Sequence, residues 1–528
     1  MTSKNISLAL ACLVYVSFGQ AAAAAETDGT KAGGIETLQA VQASLRKGTK
    51  PTNADLEKLR SLAELYVEAS KFADAEQVMM EEMALRQHVD ADGLPESWLL
   101  LGTVYRKQGR YTAAERWLKR GLGALQEKHP NDKVRLSAAY NYLALFQNNA
   151  GKYEESEANA RKALMLAKEG RMPEDISAMH MVVLANALRQ QGNFEEARTY
   201  LDTALPILKK GANDALLAAA TNNLGALYFW LGEYQKALAM LEEGLRLRRA
   251  THGDDHPDVA NSLLDLGCTE FRLGQTDAAI EHLTKSVDIR SRKLGAAHPE
   301  TLISKANLAV ALNSVGKSKQ ALPLLQSAVT EGKKVLGEYH PDLAQYEDDY
   351  ANVLLAEKQP DQAHTYAADA LRIRKVNFGA RSREYAAGLR SMAHVESAQG
   401  KADKALASLQ QSVDVYKAAG QRADQDYADT LEELATVYLE RKNPAKAREV
   451  YDLVIEERAQ GGPTVAYAVS LANFSEILTR LNESDESCKM LNKAVDVIDS
   501  LPSTQKSHPD CVAIMERYHR LTTGKPAS

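Results

Sequence analysis

A block of about forty residues recurs eleven times and fills nearly the whole chain. It shows best at one short turn: "GRYTAAE" from Gly109, "GKYEESE" from Gly151, "GNFEEAR" from Gly192 and "GEYQKAL" from Gly232. The series continues with "GQTDAAI" from Gly274, "GKSKQAL" from Gly316 and "GKADKAL" from Gly400, with weaker copies at Ser70, Lys358, Lys442 and Asn482. From Gly232 to Lys442 every step is 42 residues. A fixed period of this size predicts a solenoid, in which each repeat buries its apolar face only against its neighbours. It argues against a globular enzyme before any single residue is considered.

Each repeat reads as two helices. Between Ala215 and Thr251, Leu217, Leu224, Leu227, Tyr228 and Leu231 fall close to helical spacing. Gly232 then closes the helix, because glycine accepts the left-handed conformation that ends one. Leu238, Leu241, Leu245 and Leu247 resume the period. Ala, Leu, Glu, Lys and Arg dominate, all good helix formers, and no run alternates with period two long enough for a strand.

Two columns of small residues tie the helices together. Five residues after the turn position stand Ala75, Ala114, Ser156, Ala197, Ala237, Ala279, Ala321, Ala363, Ala405, Ala447 and Ser487. Seven residues before it stand Ala63, Gly102, Ala144, Ala185, Gly225, Gly267, Ala309, Ala351, Ala393, Ala435 and Ser475. Small side chains here let two helix axes approach to about 8–10 Å.

With Leu101, Gly102, Tyr105, Gly109 and Ala114, and again Leu224, Gly225, Tyr228, Gly232 and Ala237, the pattern resembles the tetratricopeptide repeat. The 42-residue length and linkers such as "THGDDHPDVANSLLDLG" and "KLGAAHPETLISKANLA" resemble the kinesin-light-chain subtype. The resemblance covers about residues 53–520. It implies an all-α fold, a right-handed α-α superhelix of about eleven helix-turn-helix repeats with a C-terminal capping helix. It is specific for fold and weak for function, since the fold serves many partners. The repeats starting near Leu343, Asp426 and Val465 depart from the pattern at the turn glycine and leave their turn geometry open.

The expected organisation is a signal peptide over 1–25, a flexible linker over 26–52, the repeat array over 53–500, and a capping helix and tail over 501–528. Lys4 supplies a positive start, Ile6–Phe18 an apolar stretch and "QAAAAAE" small-residue cleavage sites near Ala23–Ala25. Export to the periplasm or beyond is therefore expected, with no membrane span in the mature chain. Residues 35–46 can form one short helix within the linker. Three cysteines then remain, Cys268, Cys488 and Cys511, too few for a disulfide scaffold. Cys488 and Cys511 near the starts of successive helices would stand roughly 15 Å apart along the axis.

The net charge, 64 − 70 = −6, argues against nucleic acid as the main partner. Basic groups at Arg246, Arg248, Arg249 and at Arg372, Arg374, Lys375 end second helices and read as macrodipole compensation on solvated faces, with a basic partner-binding rim as the alternative. His-Pro recurs at His129, His256, His298, His340 and His508. It reads as a helix start, with Pro at the first helical position and an acid after it. A metal ladder is excluded by spacing, because equivalent positions lie roughly 10 Å apart. No phosphate loop, nucleophile elbow or paired-Cys motif is present. No catalytic residue, cofactor or metal is expected.

The functional signal is a polar ladder on first helices. Asn223, Asp265, Asn307 and Asp349 occupy equivalent positions, with Asn222 and Asn261 on or near the same inner face and Phe229 and Trp230 at positions expected to face the groove as an exposed aromatic pair. In the resembling family, asparagine at this place lines the concave groove and bonds the backbone of an extended peptide. Amides offer both donor and acceptor for this. An equally open alternative is that the ladder satisfies itself between adjacent helices and Trp230 packs on the next repeat. The expectation is a non-enzymatic scaffold that binds a protein or peptide through its groove. Its rivals are an envelope or secretion component that uses its edges, and, remotely, an enzyme.

Overall fold

A computed structural model describes residues 28–211, 213–418, 425–501, 503–506 and 508–523. The expected signal peptide and its cleavage sites lie outside the described residues. Every element of the described chain is helical.

The first helix, α1 (Asp28–Arg46), precedes the repeats. Seven pairs follow: α2 (Asn53–Glu68) with α3 (Phe72–Val89), α4 (Leu94–Lys107) with α5 (Tyr111–Lys128), α6 (Lys133–Asn149) with α7 (Tyr153–Glu169), α8 (Glu174–Gln190) with α9 (Phe194–Lys210), α10 (Asp214–Trp230) with α11 (Tyr234–His252), α12 (Pro257–Arg272) with α13 (Thr276–Lys293), and α14 (Pro299–Ser314) with α15 (Ser318–Leu336). Four more are α16 (Pro341–Ala356) with α17 (Pro360–Phe378), α18 (Arg383–Ala398) with α19 (Ala402–Ala418), α20 (Gln425–Glu440) with α21 (Pro444–Gln460), and α22 (Val465–Arg480) with α23 (Ser484–Ser500). A one-turn helix, α24 (Ser503–Lys506), leads to the cap α25 (Pro509–Thr523). These are the eleven repeats and the capping helix read from the sequence. The segment expected as linker is different: α1 is five turns long and tied down, with Gln39 Nε2 donating to Tyr66 Oη at 2.6 Å and Arg46 bonded to Glu81.

All eleven turn positions adopt the same left-handed backbone. Gly232 has φ 75° and Gly316 77°, and the non-glycine copies follow, with Ser70 at 57°, Lys358 at 60°, Lys442 at 58° and Asn482 at 62°. The turn geometry left open by the sequence is therefore uniform, and four repeats hold it without glycine's conformational freedom.

The small columns are buried throughout. Ala114, Ala237 and Ala279 are wholly inaccessible. A Cβ added to Gly225 would come within 2.7 Å of Leu241 Cγ, and one at Gly267 within 2.7 Å of Leu283 Cγ. The paired helices are as close as their side chains allow. Where a serine replaces alanine, its hydroxyl is absorbed locally: Ser156 Oγ donates to Ala144 O at 2.8 Å and Ser487 Oγ to Ser475 O at 2.7 Å.

The chain divides into two compact units, up to Tyr346 and from Glu347 onward. In the second, Tyr451 and Phe474 stack at 5.6 Å inside the core, and α25 closes the last repeat. Cys511 is wholly buried there and Arg517 Nη1 donates to Ala472 O at 2.9 Å. Cys268, Cys488 and Cys511 are free thiols.

In the first unit the array returns upon itself. His256, His298 and His340 start helices as expected, each Nδ1 accepting the backbone N–H two residues on, at 3.1–3.2 Å. The opposite ring nitrogen does something the sequence did not suggest. His256 Nε2 donates to Glu68 O and His298 Nε2 to Lys107 O, each at 2.9 Å and across 188 and 191 residues. Both are backbone carbonyls at the ends of first helices, in the first and second repeats. Pro299 seats against Gly109, Pro341 against Gly151, and the His340 ring stacks on Tyr111. Three successive His-Pro helix starts thus clasp the turns of repeats one to three. His129 is the exception: it ends α5 instead of starting a helix, α6 begins at Lys133 with Asp132 as its cap, and His129 Nε2 bonds Asp92 at 2.6 Å.

Candidate functional site

The clasp decides where the expected groove residues lie. α8 buries every residue from Ala178 to Arg189, α10 from Ala218 to Leu227, and α12 from Pro257 to Glu270. An open repeat array exposes one face of its first helices; here that face is closed. Asn222, Asn223, Asn261, Asp265, Asn307 and Asp349 are all 3–5% exposed. The expectation that they present amides to solvent is corrected by this burial.

Some of them bond each other or the next repeat. Asn222 Nδ2 donates to Asp265 Oδ2 at 2.6 Å, and its Oδ1 accepts from Ser262 Oγ at 2.8 Å. Asn261 accepts from Arg290. Asn307 Nδ2 returns to Ile303 O at 2.9 Å. Between repeats five and six the ladder therefore satisfies itself in part: Asn222 is bonded on both sides, while Asn223 Nδ2 and Asn261 Nδ2 are buried without a hydrogen-bond partner. Phe229 is also buried, edge-on to Tyr234 at 5.5 Å. Trp230 alone of the set is exposed, at 39%.

A second correction concerns the basic helix ends. Arg248 is 3% and Arg374 8% exposed. Arg248 Nη1 donates to Asp258 O and Ser262 Oγ, both at 2.9 Å. Arg290, one period on, makes the same pair of bonds to Glu300 O at 2.8 Å and Ser304 Oγ at 2.6 Å. Arg374 bonds Asp348 and Arg458 bonds Asp429. Arg248 and Arg290 staple one repeat to the next, and Arg374 and Arg458 tie the two helices of their own repeats, by charge-assisted hydrogen bonds, which are stronger than neutral ones. Arg248 and Arg290 stand 42 residues apart and the further steps to Arg374 and Arg458 are 84, but spacing does not distinguish a solvated charge from a buried staple. Arg246 and Arg249, by contrast, remain on the surface, paired with Glu243 and Asp254.

Inside the first unit, next to the clasp, lies a pocket of about 800 Å³ including its mouth. Leu100, Phe72 and Leu145 give it an apolar wall, and Arg106, Lys107 and Asp258 charged ones. Its electrostatics are unusual. Burial pulls the Lys107 ammonium down to about 7 and pushes the Glu64 carboxyl up to about 7. Asp258 stays ionised despite burial, held below the usual range by His256, Lys107, His252 and Arg248 around it. It also sits in the first turn of α12, where the helix dipole favours an anion. His252, His256 and Asp258 bring three potential ligand atoms within 4.8 Å. They do not fit a metal as arranged, since both His256 nitrogens are spent on Asp258 N–H and Glu68 O. The sequence marked His256 as a helix start but not the pocket, because the clasp that assembles it joins positions nearly two hundred residues apart.

The tetratricopeptide repeat family matches over 60–132, 135–210, 216–292, 269–330, 300–376, 343–418 and 384–456. The chain belongs to this family. No curated protein sequence matches it. Among solved structures it is similar to a Podosopora anserina putative kinesin light chain with nearly identical TPR-like repeats, at 24% identity over 40% of this chain and all of that one, with a TM-score of 0.34. BtubC (BKLC) from P. vanneervenii gives 21% identity over 43% and 90%, with a TM-score of 0.35. A Rap protein complexed with competence and sporulation factor gives 13% over 70% and 99%, with a TM-score of 0.49. No described helix is long and apolar enough to cross a membrane.

Proposed function

We propose that this chain is a non-enzymatic scaffold that holds partner proteins, and that the first unit contacts them along the open part of its turn row, not along the amide ladder. The observation that carries this reading is the contrast between the two ends of α10. Asn222 and Asn223 are buried and interior, while Trp230, at the turn, is exposed. The row itself differs along its length. Gly109 and Gly151 are packed against prolines, whereas Gly192, Gly232, Gly274 and Gly316 have open space around them. Beside Trp230, Arg272 stands over the Tyr234 ring at 5.3 Å. An aromatic with a neighbouring arginine is the composition of a binding hot spot. This moves the reading toward the edge-using rival of the groove model and keeps Trp230 as its anchor.

The targeting sequence supports export, so the partner is expected in the cell envelope or outside the cell. Purification of bound proteins from the envelope fraction, with Trp230→Ala as the comparison, tests both parts. Equal recovery with wild type and variant would remove Trp230 from the interface. An intact Met1 on cytosolic protein would remove the export assignment.

A further inference from the structure

The pocket beside the clasp contains a charge that the protein does not answer. Arg106, near the end of α4, is 4% exposed and lines the pocket. Its Nη1 is buried and has no hydrogen-bond partner, and among the described residues the side chain takes part in no ion pair. Two of the acids that line the pocket with it are accounted for. Asp258 is balanced by His256, Lys107, His252, Arg248 and its helix N-terminus. Glu64 faces Arg60, and burial already disfavours its ionised form. Burial alone draws Arg106 down to about 10, with only distant help from Tyr111, Tyr142 and Asp258. An unpaired buried guanidinium is among the most unfavourable groups a fold can hold. Other buried arginines, Arg86, Arg248, Arg290 and Arg458, are bonded to carboxylates, carbonyls and hydroxyls.

We propose that this pocket binds a small amphipathic anion, its carboxylate or phosphate head paired with Arg106 and its hydrocarbon body against Phe72, Leu100 and Leu145. A guanidinium presents paired donors that match the two oxygens of such a head. Most of the wall is apolar, which suits an aliphatic or aromatic tail and not a sugar or a highly charged nucleotide. Because α4, α6 and the start of α12 all contribute, an occupant would also brace the clasp that joins them. The site is separate from the turn row around Trp230, so the two assignments stand or fall independently.

The test uses the full mature chain and defined probes. Octanoate, octyl phosphate, octylammonium and 1-octanol are titrated by calorimetry and by their effect on thermal unfolding. Octanoate or octyl phosphate should bind saturably at one site, and the stronger of the two identifies the head. Octylammonium and octanol should bind at least tenfold more weakly. Arg106→Gln should weaken the anion at least tenfold, and Arg106→Lys should restore part of the loss. Val67→Trp fills the pocket without touching Arg106 and should abolish binding while leaving the circular dichroism unchanged. Absence of saturable binding of either anion to the wild type overturns the proposal. So does equal binding of octanol, or binding that survives both Arg106→Gln and Val67→Trp.

Discussion

His298→Ala tests whether the clasp is a structural joint. The ring does two jobs at once. Nδ1 caps α14 by accepting Glu300 N–H at 3.2 Å, and Nε2–H donates to Lys107 O at 2.9 Å. Removal of a helix cap costs about 1 kcal/mol. Loss of the second bond costs about 1 kcal/mol net, and more because Lys107 O is left buried without it. The ring is itself 7% exposed, so its packing is lost too. Together these give about 2–4 kcal/mol. His508 is an internal control. It makes the same cap to Asp510 N–H at 3.3 Å, but its ring is half exposed. His508→Ala should cost only the cap, about 1 kcal/mol. Hydrogen exchange separates the two jobs. His298→Ala should expose amides at the start of α14 and, at the same time, those near residues 104–110, although nearly two hundred residues lie between. If protection near 104–110 is unchanged while the start of α14 frays, the clasp contributes nothing and the reasoning fails.

Other consequences are testable on the same scale. Ala237→Leu should cost about 1–3 kcal/mol by overpacking, because Ala237 is wholly buried where paired helices meet, and exchange should rise mainly in adjacent repeats. Lys358→Gly should stabilise by up to about 1 kcal/mol in urea unfolding, since φ 60° strains any residue with a Cβ; a loss of stability would refute the strain argument. His180 is 1% exposed and burial pulls it down to about 4 from its usual 6.5. Below pH 6.5 the unfolded chain binds a proton that the folded one refuses, so stability should fall as pH drops from 6.5 towards 4, by up to about 3 kcal/mol. His180→Gln should flatten that part of the pH profile, and an unchanged profile would contradict it. Asn222→Ala should destabilise by about 1–3 kcal/mol, because it removes the buried amide that bonds both Asp265 and Ser262; a neutral result would return the amide to a binding role.

The repeat number, the helix pairs and the small columns were legible because they are periodic and local. Gly225 against Leu241 needs only one repeat to explain it. Non-glycine turns at Lys358 and Lys442 were less certain, since their left-handed backbone is imposed by the flanking helices against residue preference. What local pattern could not reveal was the return of the array upon itself. His256-Pro257 and His298-Pro299 announce helix starts, and the cap occupies only one ring nitrogen. The partner of the other, Glu68 O or Lys107 O, depends on the accumulated rotation of several repeats, to which each repeat adds only a small angle. That same rotation converts Asn222, Asn261 and Asp265 from groove residues into interior ones and assembles Arg106 with Asp258. The arginine column at 248, 290, 374 and 458 was readable as a period but not as burial. The acceptors of Arg248 and Arg290 are main-chain carbonyls and small hydroxyls, which leave little mark in a sequence.

The central claim is that the first unit meets its partners at the open turn row and not along the amide ladder. A photo-crosslinking residue placed at Trp230 and, separately, at Asn223 tests this in intact cells. The account predicts covalent adducts to another protein from position 230 and none from position 223. Adducts from position 223, with position 230 silent, would show that the inner face opens to a partner and would contradict it.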